Sequence, residues 1–131
     1  MTLAVRVGSG APWEPVVGYS RVVVVDGVAR VSGTTATVGG VVQHPGDLAA
    51  QTRVALENVA DALEQVGFLM GDVVRTRMYV TDISRWEEAG RVHGEYFADV
   101  RPATSMVQVA ALIDPEMMIE IEADAVMGAG A

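Results

Sequence analysis

Near its C-terminus the chain alternates without interruption: Ile119, Ile121, Ala123 and Ala125 are apolar, and Glu120, Glu122 and Asp124 stand between them. A period of two belongs to a β-strand, whose successive side chains leave opposite faces. A helix would scatter the three acids around its axis, whereas a strand over Met117–Val126 gathers them on one side and the apolar residues on the other. Any fold for this sequence must therefore cover one face of a sheet with a core and leave a row of carboxylates on the reverse.

The rest of the chain supplies that cover. Arg21–Val25 is almost wholly β-branched, Asp26-Gly27 is a two-residue turn signal, and Val28–Thr35 alternates again, which predicts a β-hairpin. Residues 1–17 read as a leading segment with a short edge strand at Leu3–Val7, and Val38–Pro45 as a glycine-containing connection. Asp47 is placed as the N-cap of a helix whose apolar stripe runs Leu48, Ala55, Leu56, Val59, Leu63 and Val66 up to Gly67. Its opposite face carries Gln51, Arg53, Glu57, Asp61 and Glu64. Val73–Thr81 reads as a strand with Val74, Thr76, Met78 and Val80 on one side and Arg75, Arg77 and Tyr79 on the other. Ser84 with Glu87 has capping-box spacing, and Trp86, Ala89, His93, Tyr96 and Phe97 recur at helical intervals to about Val100, with Trp86 expected in the core. A strand over Thr104–Leu112, a turn at Ile113–Glu116 and the strand over Met117–Val126 complete the order ββαβαββ.

This order predicts one α+β domain over residues 1–131, a sheet with both helices on one face. Val107, Val109 and Ala111 are expected to meet the helices. Thr104, Met106, Gln108 and Ala110 are expected on the other face with Glu120, Glu122, Asp124, Arg75, Arg77 and Tyr79. No third helix is available to cover that semi-polar face, so it is either wet or used for self-association.

Composition narrows the chemistry. The nine basic residues against 17 acidic ones give a net charge of −8, which disfavours a phosphate-backbone partner. All nine are arginine, so there is no lysine for a Schiff base or a phosphate loop. With no cysteine there is no thiolate nucleophile or thiolate metal site, and His44 and His93 lie far apart in sequence, so no metal is expected. The apolar run near Met1 is too short for a signal-peptide core or a membrane span, so the expected location is the cytoplasm, with no membrane partner.

The segment R-P-A-T-S-M-V-Q-V-A-A-L at Arg101–Leu112, followed by I-E-I-E-A at Ile119–Ala123, resembles the closing signature of the RidA/YjgF family, the reactive intermediate deaminases. Similar stretches precede it in order: G-Y-S at Gly18–Ser20, V-S-G at Val31–Gly33, A-Q-T-R-V-A-L-E-N at Ala50–Asn58, D-V-V-R-T at Asp72–Thr76, Y-V-T-D at Tyr79–Asp82 and E-Y-F at Glu95–Phe97. The resemblance implies a chorismate-mutase-like fold, a mixed sheet with two helices on one face. It also implies a homotrimer whose sheets form a central barrel with three clefts between subunits. The implied activity is hydrolysis of reactive enamines and imines, such as 2-aminoacrylate, to a keto acid and ammonia, without any cofactor.

One position departs from the pattern. Deaminase-competent relatives carry an arginine in P-A-x-S, where its planar fork can hold a substrate carboxylate; here that position is Thr104. A hydroxyl gives up the roughly 1.5–3 kcal/mol of a charged hydrogen bond. Met106 replaces a frequent cysteine, and Gly90 falls where asparagine is common. The resemblance makes Glu120 the carboxylate that positions the hydrolytic water, with Glu122 offering the same chemistry one repeat away. It places Tyr19, Ser32, Gly33, Thr104 and Met106 at the cleft. Arg77 is a candidate for the missing clamp, against the plainer reading of a sheet ion pair. His93 is weighed as a catalytic group against a satisfied or interfacial histidine, and His44 as an exposed loop residue. The expectation is therefore a small-molecule imine or enamine hydrolase, inefficient on 2-aminoacrylate; a non-catalytic trimer binding a metabolite or partner in the same clefts is the alternative.

Overall fold

The computed structural model describes residues 3–131. Among the described residues eight strands and two α-helices follow one another as β1 (Ala4–Val7), β2 (Val22–Val25), β3 (Val28–Thr34), β4 (Thr37–Val38), β5 (Val41–Val42), α1 (Leu48–Gln65), β6 (Val73–Val80), α2 (Trp86–Phe97), β7 (Ala103–Gln108) and β8 (Ile119–Val126). Six strands form one sheet in the order β1-β2-β3-β8-β6-β7, antiparallel throughout except for β6 and β7. That parallel pair is joined by α2, the crossover that parallel strands require. The class is α+β, as expected.

Local chemistry explains these elements. Asp26 and Gly27 both take positive φ (51° and 75°), the type I′ geometry that a two-residue hairpin favours. Gly39 and Gly40 repeat it (58° and 80°), so the glycine-containing connection read over Val38–Pro45 carries most of a small β4–β5 hairpin that begins at Thr37. Asp47 caps α1 by accepting from the Ala50 N–H at 3.0 Å, an arrangement that typically contributes about 1 kcal/mol. The core lies between the sheet and the helices, where Val22, Ala29, Leu56, Val59, Ile119, Ile121 and Ala123 are fully or almost fully buried. Every apolar member of the β8 alternation points into it.

Several expectations are corrected. The strands predicted over Thr104–Leu112 and Met117–Val126 are shorter, although the Val109 N–H still donates to the Val80 carbonyl at 2.9 Å just beyond β7. Val74 is exposed because the β6–β8 register shifts between Val73 and Arg75, which throws its side chain off the inner face. No capping box forms at Ser84. Its N–H and hydroxyl both donate to Asp82 Oδ1, a short 3₁₀ turn follows, Glu87 pairs with Arg91 instead, and Trp86 at the start of α2 is 54% exposed rather than core. Gln51, assigned to the polar face of α1, is fully buried. Its amide donates to the carbonyls of Gln43 and Glu116 at 3.0 and 2.8 Å and accepts from the Met118 N–H at 2.8 Å, tying two loops to the helix. Each such backbone group left unpaired on burial would cost about 1–3 kcal/mol.

The largest correction concerns β7. Parallel pairing sets Thr104 beside Thr76 and Met106 beside Met78, and both β6 residues are buried on the helix side. Thr104 and Met106 therefore face the helix side, whereas Ser105 shares the outer face with Arg75, whose Nη2 donates to its hydroxyl at 2.9 Å. Val107, expected inward, is 47% exposed. Hydrophobicity favoured the opposite assignment; the register of the parallel pair decides it.

Candidate functional site

The outer face of the sheet gathers the carboxylates that β8 projects. Between Val31 and Thr34 the β3–β8 register slips by one residue, a β-bulge that sets Ser32 and Gly33 against the single residue Glu122. The bulge brings the Gly33 backbone against Glu120. A Cβ built on Gly33 would lie 2.7 Å from Glu120 Cδ and 2.8 Å from Oε2, so the carboxyl group rests on a backbone that only glycine leaves bare. Burial pushes the Glu120 carboxyl above the ordinary carboxylate range; the neighbouring Glu122 charge adds to this and Arg21 opposes it.

Glu122, the other candidate, is differently placed. The Tyr79 hydroxyl donates to its Oε1, and this bond, together with burial, raises the Tyr79 phenol above its usual value. Asp124 is held from both sides, by Arg77 Nη1 at 3.3 Å and Arg30 Nη1 at 3.4 Å. Arg77 is thus engaged in a sheet ion pair, the plainer of its two readings. Among the described residues Glu120 is the member of the β8 row with no hydrogen bond or ion pair to its carboxylate.

Tyr19 and Ser32 line an open groove of about 460 Å³ with Arg6, Glu14, Gly18 and Ser20. The turn Glu14–Gly18 builds its wall: Gly18 takes φ 88°, and the Tyr19 N–H donates to the Glu14 carbonyl at 3.0 Å, which closes the turn ahead of Tyr19. Burial raises Glu14, but bonds from the Ser9 hydroxyl and N–H outweigh it and leave the acid below its ordinary value. Ser32 donates its hydroxyl to the Ser20 carbonyl at 2.6 Å.

Arg21 joins the groove to Glu120, and the sequence reading missed it. Its Nη1 donates to the Gly33 carbonyl at 2.7 Å and to Thr34 Oγ1 at 3.1 Å, with a longer contact to the Ser32 carbonyl at 3.4 Å, and the guanidinium lies 5.7 Å from the Tyr19 ring centroid. The only signal in the sequence was a charged residue opening an otherwise β-branched strand, which reads as a solvated strand end.

Thr104 and Met106 occupy a different place. Thr76 Oγ1 is fully buried, donates to Thr104 Oγ1 at 2.6 Å and lies 2.8 Å from His93 Nε2. Because Thr76 spends its one proton on Thr104, His93 presents an N–H to it, and the Thr104 hydroxyl keeps its own proton for an acceptor outside. Burial lowers the His93 pKa, and the ring packs on Phe97 with centroids 4.6 Å apart, so this histidine is a satisfied core donor. Within one chain Thr104 and Glu120 leave opposite faces of the sheet and do not meet. His44 is exposed in its loop. Among the described residues no three His, Asp or Glu side chains converge as a metal site, and no helix is long and apolar enough to cross a membrane.

The model of the family described as endoribonuclease L-PSP matches residues 10–127. The crystal structure of Rv2704 from Mycobacterium tuberculosis, described as a member of the YjgF/YER057c/UK114 family, is 50% identical, covering 95% of this chain and 100% of that one with a TM-score of 0.87. The YjgF gene product of E. coli is 29% identical over 93% of this chain and 94% of its own, with a TM-score of 0.79. The uncharacterized protein SCO2049 of Streptomyces coelicolor is 36% identical over 95% of this chain and 92% of its own length.

Proposed function

The chain belongs to the endoribonuclease L-PSP family, which takes in the YjgF/RidA proteins, and from that membership we propose that it hydrolyses small reactive imines or enamines by adding water at Glu120. The observation that carries this reading is the Glu120 carboxyl: half-buried, without a hydrogen-bonding or ion-pair partner of its own among the described residues, raised in pKa, and lying against the bare Gly33 backbone. A carboxylate tuned upward is a better general base near neutral pH. It takes a proton from water as the oxygen adds to the C=N carbon of the protonated imine, and returns that proton to the nitrogen of the adduct as the C–N bond breaks; the adduct's hydroxyl proton passes to the departing amine or to solvent as the C=O bond forms, releasing a carbonyl compound and an amine or ammonia. Tyr19, Ser32 and Gly33 provide a ring, a hydroxyl and backbone on the approach to it.

Charge selects among substrates. Glu14, Glu120 and Glu122 outnumber the two arginines nearest the groove, Arg6 and Arg21, so the site favours a neutral imine or its protonated iminium form over a further carboxylate. Arg77 is committed to Asp124, and Thr104 supplies one uncharged donor, so neither replaces the carboxylate clamp of deaminase-competent relatives. The ribonuclease activity in the family's description is not carried over, because a net charge of −8 with acids lining the site opposes a phosphate backbone.

The reading includes a homotrimer with its clefts between subunits, in which Thr104 and Met106 of one copy complete the site of another, and a cytoplasmic location. The state of β7 supports association: five of its six residues are exposed, although parallel strands are ordinarily buried on both faces and bare sheet edges invite pairing. Size exclusion with light scattering is expected to report about three times the 13.8 kDa chain mass; a monomer at micromolar concentration overturns the intersubunit cleft. In activity assays the chain is expected to accelerate hydrolysis of carboxylate-free imines over buffer, while pyruvate release from 2-aminoacrylate made by a coupled dehydratase stays weak. No acceleration of any such imine removes the enzyme reading and leaves a ligand-binding trimer.

A further inference from the structure

We propose that Arg21 is the positioning residue of this site: by bridging the Ser32–Gly33 bulge it holds the bare backbone against which the Glu120 carboxylate lies, and it seats the Tyr19 ring at the same time. The inference rests on the reading of Glu120 as the water-handling group and assigns a role to a side chain that contacts no reacting atom.

A bulge leaves backbone groups out of the sheet ladder, and buried carbonyls without a donor are costly. At this bulge Arg21 Nη1 donates to the Gly33 carbonyl at 2.7 Å and to the Thr34 hydroxyl at 3.1 Å; that hydroxyl in turn donates to the Ser32 carbonyl at 2.7 Å, to which Nη1 makes a longer contact of 3.4 Å. The main chain fixes Arg21 in turn. Its N–H donates to the Val7 carbonyl at 2.8 Å and its carbonyl accepts from the Ser32 N–H at 2.9 Å, so the residue is held between β1 and the bulge it braces. The guanidinium face is then presented to the Tyr19 ring at 5.7 Å, within the range of a cation–π contact.

One planar group thereby sets three parts of the site: the bulge, the ring and the electrostatic field at Glu120. Lysine can donate to the Gly33 carbonyl but has no flat face to present to the Tyr19 ring, since all three hydrogen bonds come from Nη1 and the ring contact alone uses the guanidinium plane. The charged and titratable groups around Glu120 are Glu122 on its own strand, Tyr79 across the β6 pairing and Arg21 just ahead of β2, with Arg77 and Asp124 paired to each other further along the face. Arg21 is the cation among them that opposes the upward push of burial and Glu122.

The test compares Arg21→Lys and Arg21→Gln with Arg30→Gln, an exposed change on the neighbouring strand, by two measurements. The first is a titration of the Glu120 side-chain carboxyl by ¹³C NMR, which needs no substrate. The second is kcat on the carboxylate-free imine that the parent turns over fastest. Arg21→Gln is expected to raise the Glu120 pKa further, while Arg21→Lys keeps it close to the parent and shifts the Gly33 amide resonance. Both are expected to lower kcat by about 10- to 100-fold through misplacement of the carboxylate. Arg30→Gln is expected to change neither. A parent-like Glu120 titration and parent-like Gly33 resonance in both Arg21 variants overturn the proposal, whether or not the protein is an enzyme. A parent with no imine turnover but with the expected NMR shifts overturns the catalytic reading alone and supports Arg21 as the brace of a binding site.

Discussion

Glu120→Gln is expected to lower turnover of carboxylate-free imines by about 10²–10⁴-fold, the usual contribution of a positioned proton-transfer group. The substitution keeps the shape and hydrogen-bonding capacity of the side chain and removes its basicity. Glu122→Gln is the matched control, because Glu122 is already engaged by the Tyr79 hydroxyl and is expected to change turnover far less. The pH profile sharpens the test. Glu120 must be ionised to act as a base, and its pKa is raised chiefly by burial, so activity is expected to fall on the acid side at a pH above the ordinary carboxylate range. That limb disappears in Glu120→Gln.

Stability moves in the opposite direction, which separates a chemical loss from a folding defect. A carboxyl whose folded pKa lies above its unfolded value favours the folded state most when protonated. That contribution is complete below the unfolded value of about 4.3 and is lost as pH rises through the folded value. At neutral pH the ionised Glu120 therefore destabilises the fold, and Glu120→Gln is expected to raise Tm at pH 7 but not below pH 4. A variant equally active, or inactive only because it melts earlier, contradicts the assignment of Glu120 as the base.

The backbone plan was legible from short-range chemistry. The Ile119–Ala125 alternation, the Asp26-Gly27 turn and the Asp47 cap each depend on a few neighbouring residues, and each formed as the pattern required. The failures share another cause, which is that a partner distant in sequence decided the outcome. The facing of Thr104 and Met106 depends on the parallel register with β6, which no property of β7 alone discloses. Gln51 sits among polar helix residues and is buried because the loops carrying Gln43 and Glu116 fold over it. Trp86 has the right spacing for the α2 stripe but stands at the first residue of a helix that begins after a 3₁₀ turn, beyond the reach of the core. The site divides in the same way. Glu120 and Gly33 were visible as residue types at the expected motif positions, whereas their contact and its brace, Arg21, arise from a bulge that no local pattern announces.

The bulge also provides the probe that best isolates position from chemistry, Gly33→Ala. Gly33 is not among the glycines with positive φ, so its backbone conformation is open to alanine without strain. The added Cβ meets the movable end of the Glu120 side chain, at 2.7 Å from Cδ, 2.8 Å from Oε2 and 3.1 Å from Cγ. The fold can therefore accept the methyl group if the carboxylate swings away, and loss of glycine's unfolded-state entropy offsets part of the cost by about 0.4–1 kcal/mol. The expected result is a protein with nearly parental Tm and oligomeric mass whose imine turnover drops about 10²-fold, the scale on which a displacement near 1 Å acts. Because Glu120 keeps its basicity, the acid limb of the pH profile persists in this variant, in contrast to Glu120→Gln. Parental turnover in Gly33→Ala would mean that water addition does not depend on the carboxylate lying against the bulge, and the Gly33 contact would then be ordinary strand packing.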